Sequence, residues 1–464
     1  MILKAICDRI DADLGDHVAE LQRYIRQPSV SAEGPGVREM AELLREKIRS
    51  LGATCDLVET GGFPMVYGYL DAGAPRTVLF YELYDVQPAG EPGWLAPPFA
   101  GEILDLPGHG PSVVGRGAFN SKGCVAGFIN VIEAFRKAGR PLPVNIRFMI
   151  EGEEEIGSRN LPAFIQAHRD GLRQADCVFQ PYFGENAAGK TILYLGFKGL
   201  LYMELACAGG DWGGPCDREI HAMHNAWIAN PAWRLVQALA SMKGPGERTI
   251  VPGFYDAVAA PGPDEMALLA ELERNFDAEV PLQEQGARCY KWPGLAGVDL
   301  LKQYLYEPSL NMDGIWGGYS GEGTKTVIPR EARAKLDVRL VPDMEPAQVV
   351  DTLRRHLDEQ GFPDISIRVQ NAYPASQNSP SSPETQALVR SARAVAQGPV
   401  EVWPRSAGAA PHYLFTKVLG LPVAFGGLGH GGRSHSANEY VTVEGLRRHE
   451  HGIAAFLLEF GGSR

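Results

Sequence analysis

Residues 77–88, TVLFYELYDVQP, join an apolar run to a polar exit, and this join indicates what kind of fold surrounds it. The run TVLFY is typical of a buried strand, and Asp85 follows it closely. Strand ends in an α/β sheet are where such proteins place their chemistry. Because an extended chain puts residues two apart on one face, the apolar Leu83 lies where a ligand beside Asp85 is expected.

The composition is that of a soluble globular protein with more than one domain. With 464 residues, the chain is too long for a single ordinary core. The net charge of −12 argues against a nucleic-acid or anionic-membrane partner, because such surfaces need clustered Lys and Arg. Early acidic residues argue against a signal peptide, and no apolar run reaches membrane-spanning length. Seven scattered cysteines without a CxxC pair predict reduced thiols in a cytoplasmic protein.

Short apolar strands alternate with helical patterns in the first part of the chain, which predicts βαβ units around a largely parallel sheet. Further on, 332–342 alternates between apolar and charged residues, a helix follows from Pro346 to Gly361, and a strand follows at 365–369. These elements predict an antiparallel α+β unit, and the polar stretch 376–385 predicts a linker after it. The predicted domains are 1–199 together with 376–464, and an inserted domain over 200–375.

Three segments place polar residues directly after apolar strands. They are YDVQP, the glycine-rich GRGAFNSKG at 115–123 and the acidic EGEEEIGS at 151–158. An acidic run at a helix start usually complements the helix dipole, and a glycine-rich turn often serves backbone geometry alone. Because these segments follow neighbouring strands, we expect them to form a site.

Histidines occur in two further polar segments. GHGGRSHSANEY carries His430 and His435 in a glycine-rich loop, and DREIHAMHNAWIANPAW carries His221 and His224. A single loop histidine is more often a surface residue than a ligand. These four histidines are therefore candidates only in combination with the strand exits.

Taken together, these segments resemble those of the di-zinc amidohydrolase family that includes carnosinases, aminoacylases and carboxypeptidase G-type enzymes. YxxYDVQP, GRGAxxxKG, EGEEEIGS, HxxxxxxxxNPAW, GGYSGEGTKTVIP with RLVP, and SHSANEY occur in the family's order and cover essentially the whole chain. The resemblance implies an α/β catalytic domain with a mixed central sheet and helices on both faces. It also implies an inserted α+β lid or dimerisation domain, usually a homodimer, and a small-molecule substrate.

The resemblance assigns roles to individual residues. Glu154 falls on the family's general base, and Asp85 falls on the carboxylate that orients a zinc-binding histidine. Glu155 and His435 fall on protein ligands of the first zinc. His221 falls on the histidine that the lid domain lends to the polarised carbonyl. The substrate-binding positions are Arg339, near the family's carboxylate binder, with Asn311, Gly323 and Asn120.

Several metal ligands of the family are missing from this sequence. The histidine of its His-x-Asp element is Leu83, which has no donor atom. The bridging aspartate is Asn120, whose neutral amide is a much poorer bridge between two cations. The last ligand of the second zinc falls near Gln180, and Glu185 is an alternative for it. The first zinc keeps only its glutamate and histidine, so the sequence predicts no metal or at most one weak zinc.

Other side chains could replace the missing ligands. Glu82 is offset by one residue from Leu83, so an extended strand turns it to the opposite face, which argues against a rescue. A bent strand end would allow Glu82 to coordinate, and His224 or His430 could also approach the site.

The losses do not indicate general decay, because Glu154, His221 and Arg339 remain. Without a dication, Glu153, Glu154 and Glu155 would crowd negative charge, and at least one pKa would rise. The sequence predicts an enzyme for a small amide-, dipeptide- or amino-acid-like substrate that works with little or no metal. Glu154 would be the general acid or base, with His221 and Arg339 stabilising charge. The reaction could be hydrolysis, acyl transfer, cyclisation, elimination or proton transfer. The reactions other than hydrolysis would suit a specialised biosynthetic pathway.

Two alternatives remain. One is a conventional zinc-dependent amidohydrolase or dipeptidase that uses one residual metal site with an unrecognised third ligand. The other is a non-catalytic, peptidase-like binding protein that keeps the pocket and the dimer. Chelator sensitivity distinguishes the first alternative, and ligand binding without turnover distinguishes the second.

Overall fold

The structure of the chain, a computed structural model, describes residues 1–462. Its internal contacts divide it into two compact units. The first comprises Met1–Leu195, Asn378–Trp403 and the chain from Leu414 onward, and the second comprises Gly196–Gln377 and Pro404–Tyr413. Within the described residues, no helix is long and apolar enough to cross a membrane, and the seven cysteines are free thiols.

The boundaries of these units differ from the predicted domain boundaries. Two of the differences amount to a few residues, but Pro404–Tyr413 belongs to the second unit instead of the large domain. The strand Ser406–Ala409 in this segment pairs with the long strand Gly196–Ala208, and this pairing joins the segment to the second unit. Pairing between strands so far apart in the chain leaves no local pattern in the sequence.

Helices occur in both units. Proline stands in the first turn of several of them, where its missing N–H costs no hydrogen bond. In chain order the α-helices are α1 (Ile2–Arg26), α2 (Val37–Ser50), α3 (Lys122–Lys137), α4 (Leu161–Ala167), α5 (Arg169–Leu172), α6 (Pro231–Ser241), α7 (Pro263–Glu273), α8 (Glu279–Glu284), α9 (Gly297–Tyr306), α10 (Pro346–Glu359), α11 (Pro383–Val395) and α12 (Val443–Gly462). Shorter 3-10 helices lie at Glu154–Ile156, Ala222–Ala226 and Pro245–Glu247, and a π-helix lies at Leu414–Leu419.

The strands form a large mixed sheet, a large antiparallel sheet and several smaller sheets. In chain order they are β1 (Thr54–Val58), β2 (Met65–Leu70), β3 (Thr77–Leu83), β4 (Glu102–Leu106), β5 (Gly110–Val114), β6 (Asn145–Glu151), β7 (Cys177–Gln180), β8 (Thr191–Tyr194), β9 (Gly196–Ala208), β10 (Ile220–His221), β11 (Ser309–Gly317), β12 (Val327–Ile328), β13 (Glu331–Leu340), β14 (Ser366–Tyr373), β15 (Ser376–Gln377), β16 (Val400–Trp403), β17 (Ser406–Ala409), β18 (Val423–Phe425), β19 (Gly431–Gly432) and β20 (Tyr440–Thr442).

The central sheet of the first unit has the order β1-β2-β6-β3-β7-β18. β1, β2 and β6 pair antiparallel, while β6, β3, β7 and β18 run parallel to one another. The α/β class with a mixed central sheet is therefore confirmed, whereas a largely parallel arrangement holds only around β3. Because β3 lies between two parallel neighbours, the segments that follow β3, β6 and β7 emerge at the same edge.

Helices cover both faces of this central sheet. On one face, Phe80 of β3 stacks on Phe128 of α3, with ring centroids 3.8 Å apart. On the other face, Tyr67 of β2 contacts Phe164 of α4 with centroids 5.5 Å apart. Buried aromatic pairs of this kind remove large apolar areas from water and so fix the helices against the sheet.

A four-stranded antiparallel sheet, β19-β20-β5-β4, lies in the same unit. β4 and β5 form a hairpin whose turn contains His109. β20 begins at Tyr440, directly after the segment 429–439, which we call the histidine loop because it carries His430 and His435. The pairing of β20 with β5 brings the histidine loop to the hairpin.

The second unit is built on an antiparallel sheet of order β11-β13-β9-β14. The apolar residues that alternate along β13 are buried, as the sequence pattern predicts. Leu235 of α6 and Leu353 of α10 pack into the same core, and burial of each such side chain contributes about 2 kcal/mol. The antiparallel α+β character expected of this part of the chain is therefore present.

The segment predicted as a linker, 376–385, is more regular than a linker. Its first two residues pair with β9, and α11 begins at Pro383. The Ser382 hydroxyl caps this helix by accepting the backbone N–H of Thr385 at 3.2 Å. A stretch rich in Ser and Pro starts a helix here because Ser is a favoured N-cap and Pro a favoured first helical residue.

Candidate active site

The segments that follow β3 and β6 lie side by side and are joined by Asp85. β3 runs parallel to β6 with Leu83 opposite Glu151, so both exits lie at one edge of the sheet. Asp85 is fully buried, and its carboxylate accepts the backbone N–H of Glu154 at 3.2 Å and that of Glu155 at 3.0 Å. Asp85 is therefore bonded to the backbone of the acidic turn.

Glu155, Asn120 and His435 form one hydrogen-bonded cluster, which we call the active-site cluster. The Asn120 side-chain amide donates to Glu155 Oε1 at 2.7 Å, and its nitrogen lies 3.1 Å from His435 Nε2. His435 Nε2 also lies 3.1 Å from Glu155 Oε2. The structure thus brings together residues from GRGAFNSKG, EGEEEIGS and the histidine loop.

Two residues that the sequence patterns did not single out hold the active-site cluster in place. Glu439 Oε1 accepts the backbone N–H of Asn120 at 2.8 Å, and its Oε2 accepts from Arg116 at 2.8 Å. Gln87 donates to Glu155 Oε2 at 2.9 Å and to the Glu155 carbonyl at 3.1 Å. Glu439 lies within SHSANEY and Gln87 within YDVQP, and this position in a motif is the signal that could have identified them.

The three consecutive glutamates point to different surroundings. Glu153 accepts from the Asn160 amide at 2.7 Å, away from the active-site cluster's hydrogen bonds. Glu155 belongs to the cluster, and Glu154 is partly buried near the charges of Glu155 and Asp85. The expected crowding of all three glutamates is therefore wrong for Glu153, because Asp85 is the third member of the acidic group.

Crowded negative charge and burial raise pKa values at this edge of the sheet. Burial raises the pKa of Glu154 to about 8, with the charges of Glu155 and Asp85 adding to the rise and His435 opposing it. Burial raises the pKa of Asp85 to about 7, although its two backbone N–H partners favour the charged form. Hydrogen bonding to Glu155 raises the pKa of His435. The site therefore retains protons near neutral pH that isolated carboxyls would have lost.

Leu83 and Glu82 end β3, and both are buried. Leu83 is 3% exposed and brings no donor atom. Glu82 is 0% exposed; among the described residues its Oε1 has no hydrogen-bond partner, and its Oε2 accepts the N–H of Leu83 at 3.3 Å. Burial raises the pKa of Glu82 well above its ordinary value, and the charge of Glu154 adds to the rise. Burial therefore favours the neutral form of the Glu82 carboxyl.

The donor set does not fit the two-metal centre that the resemblance implies. In the part of the chain that the structure describes, no group of three or more His, Cys, Asp or Glu side chains is arranged to hold a metal ion. Asn120 directs its NH2 group to Glu155, while its oxygen accepts from the Ser121 hydroxyl at 3.0 Å. An amide that presents N–H groups, together with a leucine, cannot replace carboxylate and imidazole ligands.

The other candidate replacement ligands are engaged elsewhere. Glu185, the alternative to Gln180 at the end of β7, bonds to Arg448 through both carboxylate oxygens, so its use as a ligand is wrong for this structure. His430 donates from Nδ1 to the Glu185 carbonyl at 2.9 Å. His224, in the second unit, accepts from the indole N–H of Trp227 at 3.1 Å.

His221 and Gly323 belong to the second unit. His221 is exposed, its Nδ1 accepts the N–H of Met223 at 3.0 Å, and its Nε2 lies 3.2 Å from Thr326 Oγ1. Because His221 accepts the Met223 N–H, it caps the 3-10 helix that follows it. Gly323 has a φ of +81°, a conformation that glycine adopts without strain.

Arg339 and Asn311, also in the second unit, are joined through Asp337, which the sequence patterns did not select. Arg339 Nε donates to Asp337 Oδ1 at 2.9 Å, and Asn311 donates to Asp337 Oδ2 at 3.0 Å. Asn311 and Asp337 are direct partners across β11 and β13. Two of the predicted substrate-binding residues thus lie together on one sheet.

Comparison with known proteins relates the chain to one peptidase family. The family model described as peptidase family M20/M25/M40 matches residues 79–459. The Cys-Gly metallodipeptidase of Schizosaccharomyces pombe is 30% identical over 77% of this chain and 76% of its own length. The Beta-Ala-His dipeptidase of Rattus norvegicus is 30% identical over 77% of this chain and 73% of its own length. A solved M20 family metallo-carboxypeptidase from Sulfolobus solfataricus matches with a TM-score of 0.85 and 31% identity, over 96% of this chain and 99% of that one.

Proposed function

Because the chain belongs to the peptidase family M20/M25/M40, we propose that it is a hydrolase whose substrate is a small dipeptide or a similar amide. Two relatives named for dipeptide substrates support a substrate of this size. The observation that carries the proposal is the active-site cluster of Asn120, Glu155 and His435, with the partly buried Glu154 beside it. These groups follow strands of a central α/β sheet, at the edge where such proteins bind their ligands.

Glu154 is the residue that we assign to proton transfer. A dipeptide is hydrolysed when water adds to the amide carbonyl carbon and the C–N bond then breaks. Glu154 would take a proton from the attacking water and give it to the departing amine nitrogen. Asp85 supports this role by holding the backbone N–H of Glu154, which fixes the turn from which the carboxyl projects.

We further propose that this chemistry runs with little or no bound metal. Leu83 and Asn120 stand where the resemblance implies a histidine ligand and a bridging aspartate. The NH2 group of Asn120 is directed at Glu155, and a hydrogen-bond donor of this kind repels a cation. Stabilisation of the developing oxyanion then falls to N–H donors of the protein, among which the imidazole of His435 lies in the active-site cluster.

His221 and Arg339 keep the roles that the resemblance gives them. His221 would stabilise the charge that develops on the substrate carbonyl oxygen. Arg339 would bind the substrate carboxylate through its guanidinium. Both residues belong to the second unit, and the resemblance is the support for these roles. The neighbouring Asn311 and the shared partner Asp337 give Arg339 a defined orientation on its sheet.

A single residual zinc is the second candidate arrangement. Glu155 Oε2 and His435 Nε2 are 3.1 Å apart, a separation that suits two ligands of one ion. Water would have to supply the remaining positions. Under this alternative the protein remains a dipeptidase, but its activity requires added zinc and is lost in chelator.

The test is turnover of Cys-Gly and of β-Ala-His by the wild type and by Glu154→Gln. Loss of a general acid–base group should lower the rate by about 10²–10⁴-fold. Glu153→Gln is the matched control, because that carboxylate is bound by Asn160 and the amide keeps an oxygen for the same bond. Each protein is assayed after chelator treatment and again after addition of zinc.

The outcomes separate the candidates. Turnover in chelator that disappears in Glu154→Gln supports the metal-poor hydrolase, and turnover only with zinc supports the one-zinc dipeptidase. Dipeptide binding without turnover in the wild type indicates a binding protein and removes the hydrolase. Full activity of Glu154→Gln would remove this residue from the mechanism.

The specialised biosynthetic setting and the reactions other than hydrolysis stay predictions, and so does a homodimer formed through the second unit. One feature supports the dimer: β11 stands at the edge of its sheet order, with Met312, Ile315 and Trp316 about half exposed. Apolar side chains on an edge strand favour pairing with a second chain. Sedimentation of the wild type over a range of concentrations tests this, and a monomer throughout would contradict it.

A further inference from the structure

A second pair of histidines lies in the first unit, at the four-stranded sheet. His109 is in the β4–β5 turn, and His430 is in the histidine loop directly before β19. Their facing ring nitrogens, His109 Nδ1 and His430 Nε2, are 3.3 Å apart. The hydroxyl of the buried Tyr440 lies 3.0 Å from His430 Nε2 and 3.3 Å from His109 Nε2.

The tautomer of His430 is determined by its surroundings. Its Nδ1 lies 2.9 Å from the carbonyl oxygen of Glu185, which can only accept, so Nδ1 carries the proton. In the neutral imidazole, Nε2 is then left with a lone pair, and it lies 3.0 Å from the Tyr440 hydroxyl and 3.3 Å from His109 Nδ1. A backbone carbonyl on the distal nitrogen is the arrangement that orients histidine ligands in metal sites.

His109 also lies beside Tyr440, whose hydroxyl is 3.3 Å from His109 Nε2. When Nε2 of a neutral imidazole carries the proton, Nδ1 carries the lone pair. The Tyr440 hydroxyl is therefore close to both imidazoles.

The separation of the two facing nitrogens matches that of two ligands on one ion. Zinc–nitrogen bonds of about 2.0–2.1 Å at a tetrahedral angle place two ligand nitrogens about 3.3–3.4 Å apart. The observed distance of 3.3 Å lies in this range. A strong hydrogen bond would bring the two atoms nearer, to about 2.9–3.0 Å.

We propose that His109 and His430 form a transition-metal site for an ion of the zinc class, with water and the Tyr440 hydroxyl completing the coordination. Imidazole nitrogen favours Zn²⁺, Ni²⁺ and Cu²⁺, whereas Mg²⁺ and Ca²⁺ prefer oxygen ligands. With two protein imidazoles, the site holds its ion more weakly than four-ligand structural zinc sites do. The site goes beyond the proposed hydrolase activity and does not rest on it.

The residue whose carbonyl anchors His430 is itself held by further bonds. Glu185, whose carbonyl anchors the imidazole, is itself bonded to Arg448 at 2.7 Å and accepts the N–H of Gly429 at 2.9 Å. One charge opposes the ion, because Arg433 acts electrostatically on both His109 and Tyr440. The positive charge of Arg433 weakens cation binding, and it equally disfavours the protonated imidazole that competes with a metal.

An ion at this site joins the β4–β5 hairpin to the histidine loop. His435 of the active-site cluster lies five residues after His430 in that loop. A bound ion therefore stabilises the sheet that leads into the active-site cluster. It also means that zinc found in the purified protein need not occupy the active-site cluster.

The test measures zinc binding to the full-length, tag-free protein after chelator treatment, by titration calorimetry and by metal analysis. The wild type is compared with His109→Gln and with His435→Gln. We expect one zinc per wild-type chain, binding at least about 10-fold weaker in His109→Gln, and no change in His435→Gln. His109 is a partly exposed turn residue, so its replacement leaves the core untouched.

Two further readouts use the same proteins. X-ray absorption of the zinc-loaded wild type should show nitrogen ligands at about 2.0–2.1 Å, and Mg²⁺ should give no binding heat. Zinc should raise the melting temperature of the wild type and of His435→Gln, but not that of His109→Gln. Zinc binding that is kept in His109→Gln and lost in His435→Gln would assign the ion to the active-site cluster and overturn the proposal. A wild type that takes up no zinc would overturn it as well.

Discussion

His430 and His435 lie five residues apart in one loop, yet their surroundings suit opposite tasks. His435 faces the carboxylate of Glu155 and the NH2 group of Asn120, each 3.1 Å from its Nε2. His430 has a backbone carbonyl at its Nδ1, while its Nε2 lies close to the Tyr440 hydroxyl and to the imidazole of His109. The sequence motif marks His435 as the ligand, whereas the geometry favours His430. Which donors converge on a point decides metal binding, and a motif records only one of them.

The two surroundings also balance charge differently. The active-site cluster lies beside crowded acids, and burial together with neighbouring negative charge raises the pKa values of Glu154 and Asp85. Near His430, the carboxylate of Glu185 is already paired with Arg448. The first site is therefore suited to moving protons, and the second to binding a cation through neutral nitrogens.

The largest expected effect comes from returning one carboxylate to the active-site cluster. Asn120→Asp places an oxygen donor next to Glu155 and His435 and removes the amide N–H that faces them. We expect a second zinc per chain, bound at least about 10-fold more tightly than at this position in the wild type. Without zinc the new carboxylate repels Glu155, so the melting temperature of the variant should fall.

Asn120→Ala is the control for this change, because it removes the same amide but adds no donor. The measurement is zinc stoichiometry by metal analysis, together with melting curves with and without zinc. If Asn120→Asp and Asn120→Ala bind equal amounts of zinc, the active-site cluster lacks more than a single carboxylate. The amide at Asn120 would then not explain why zinc binds at His430 instead of His435.

A smaller effect, on the stability of the fold, is expected from replacing Glu82, which belongs to neither histidine site. Glu82→Met replaces a buried carboxyl whose Oε1 has no partner among the described residues. An unsatisfied buried group costs about 1–3 kcal/mol, so the variant should be more stable by an amount of that order near neutral pH. Met fills a similar volume without a polar atom.

The gain from Glu82→Met should depend on pH. The pKa of Glu82 is raised in the folded state, so its burial is least costly below the pKa of the unfolded chain, about 4.3. As the pH rises from there toward the folded pKa, the wild type loses stability and Glu82→Met does not. Urea unfolding at about pH 5 and about pH 8 measures this. Parallel pH profiles of the two proteins would show that Glu82 is charged or hydrogen-bonded in the folded state.

The smallest expected effect is a difference in titration between the two histidine sites. Hydrogen bonding to Glu155 raises the pKa of His435, whereas burial and the neighbouring charges of His430 and Arg433 lower the pKa of His109. In an NMR titration the midpoint of His435 should therefore lie above that of His109. Pairing with Glu155 stabilises the fold at low pH, and this contribution disappears as the pH rises through the pKa of His435.

Glu155→Gln tests the cause of that difference. The midpoint of His435 should fall in this variant, because an amide offers no charge to the imidazolium, while the midpoint of His109 should not move. Equal midpoints in the wild type would contradict the view that the two sites have opposite electrostatic surroundings.

Much of the framework of the site could be predicted from local patterns. TVLFY predicts a strand, and β3 runs from Thr77 to Leu83. The alternation at 332–342 predicts a half-buried strand, and β13 covers Glu331–Leu340. Periodicity indicates which face of an element is buried. This is a local property, so it can be predicted without knowing which elements pack against that face.

The partners themselves could not be predicted. Glu439 accepts the backbone N–H of Asn120, and Arg448 pairs with Glu185, the alternative metal ligand predicted from the sequence. His109 belongs to none of the sequence motifs, because a single histidine in a hairpin turn forms no recognisable pattern. Each of these contacts joins residues hundreds of positions apart, and strand pairing decides which of them meet.

By itself, the sequence determined which elements form, which family the chain belongs to and which donor atoms are absent, because Leu83 has no lone pair and an amide at Asn120 has no charge. The tertiary structure alone decided where the remaining donors point. Hydrogen bonds and coordination both require atoms about 3 Å apart in defined directions. Those directions follow from the turns and strand registers that place His430 against His109 and His435 against Glu155.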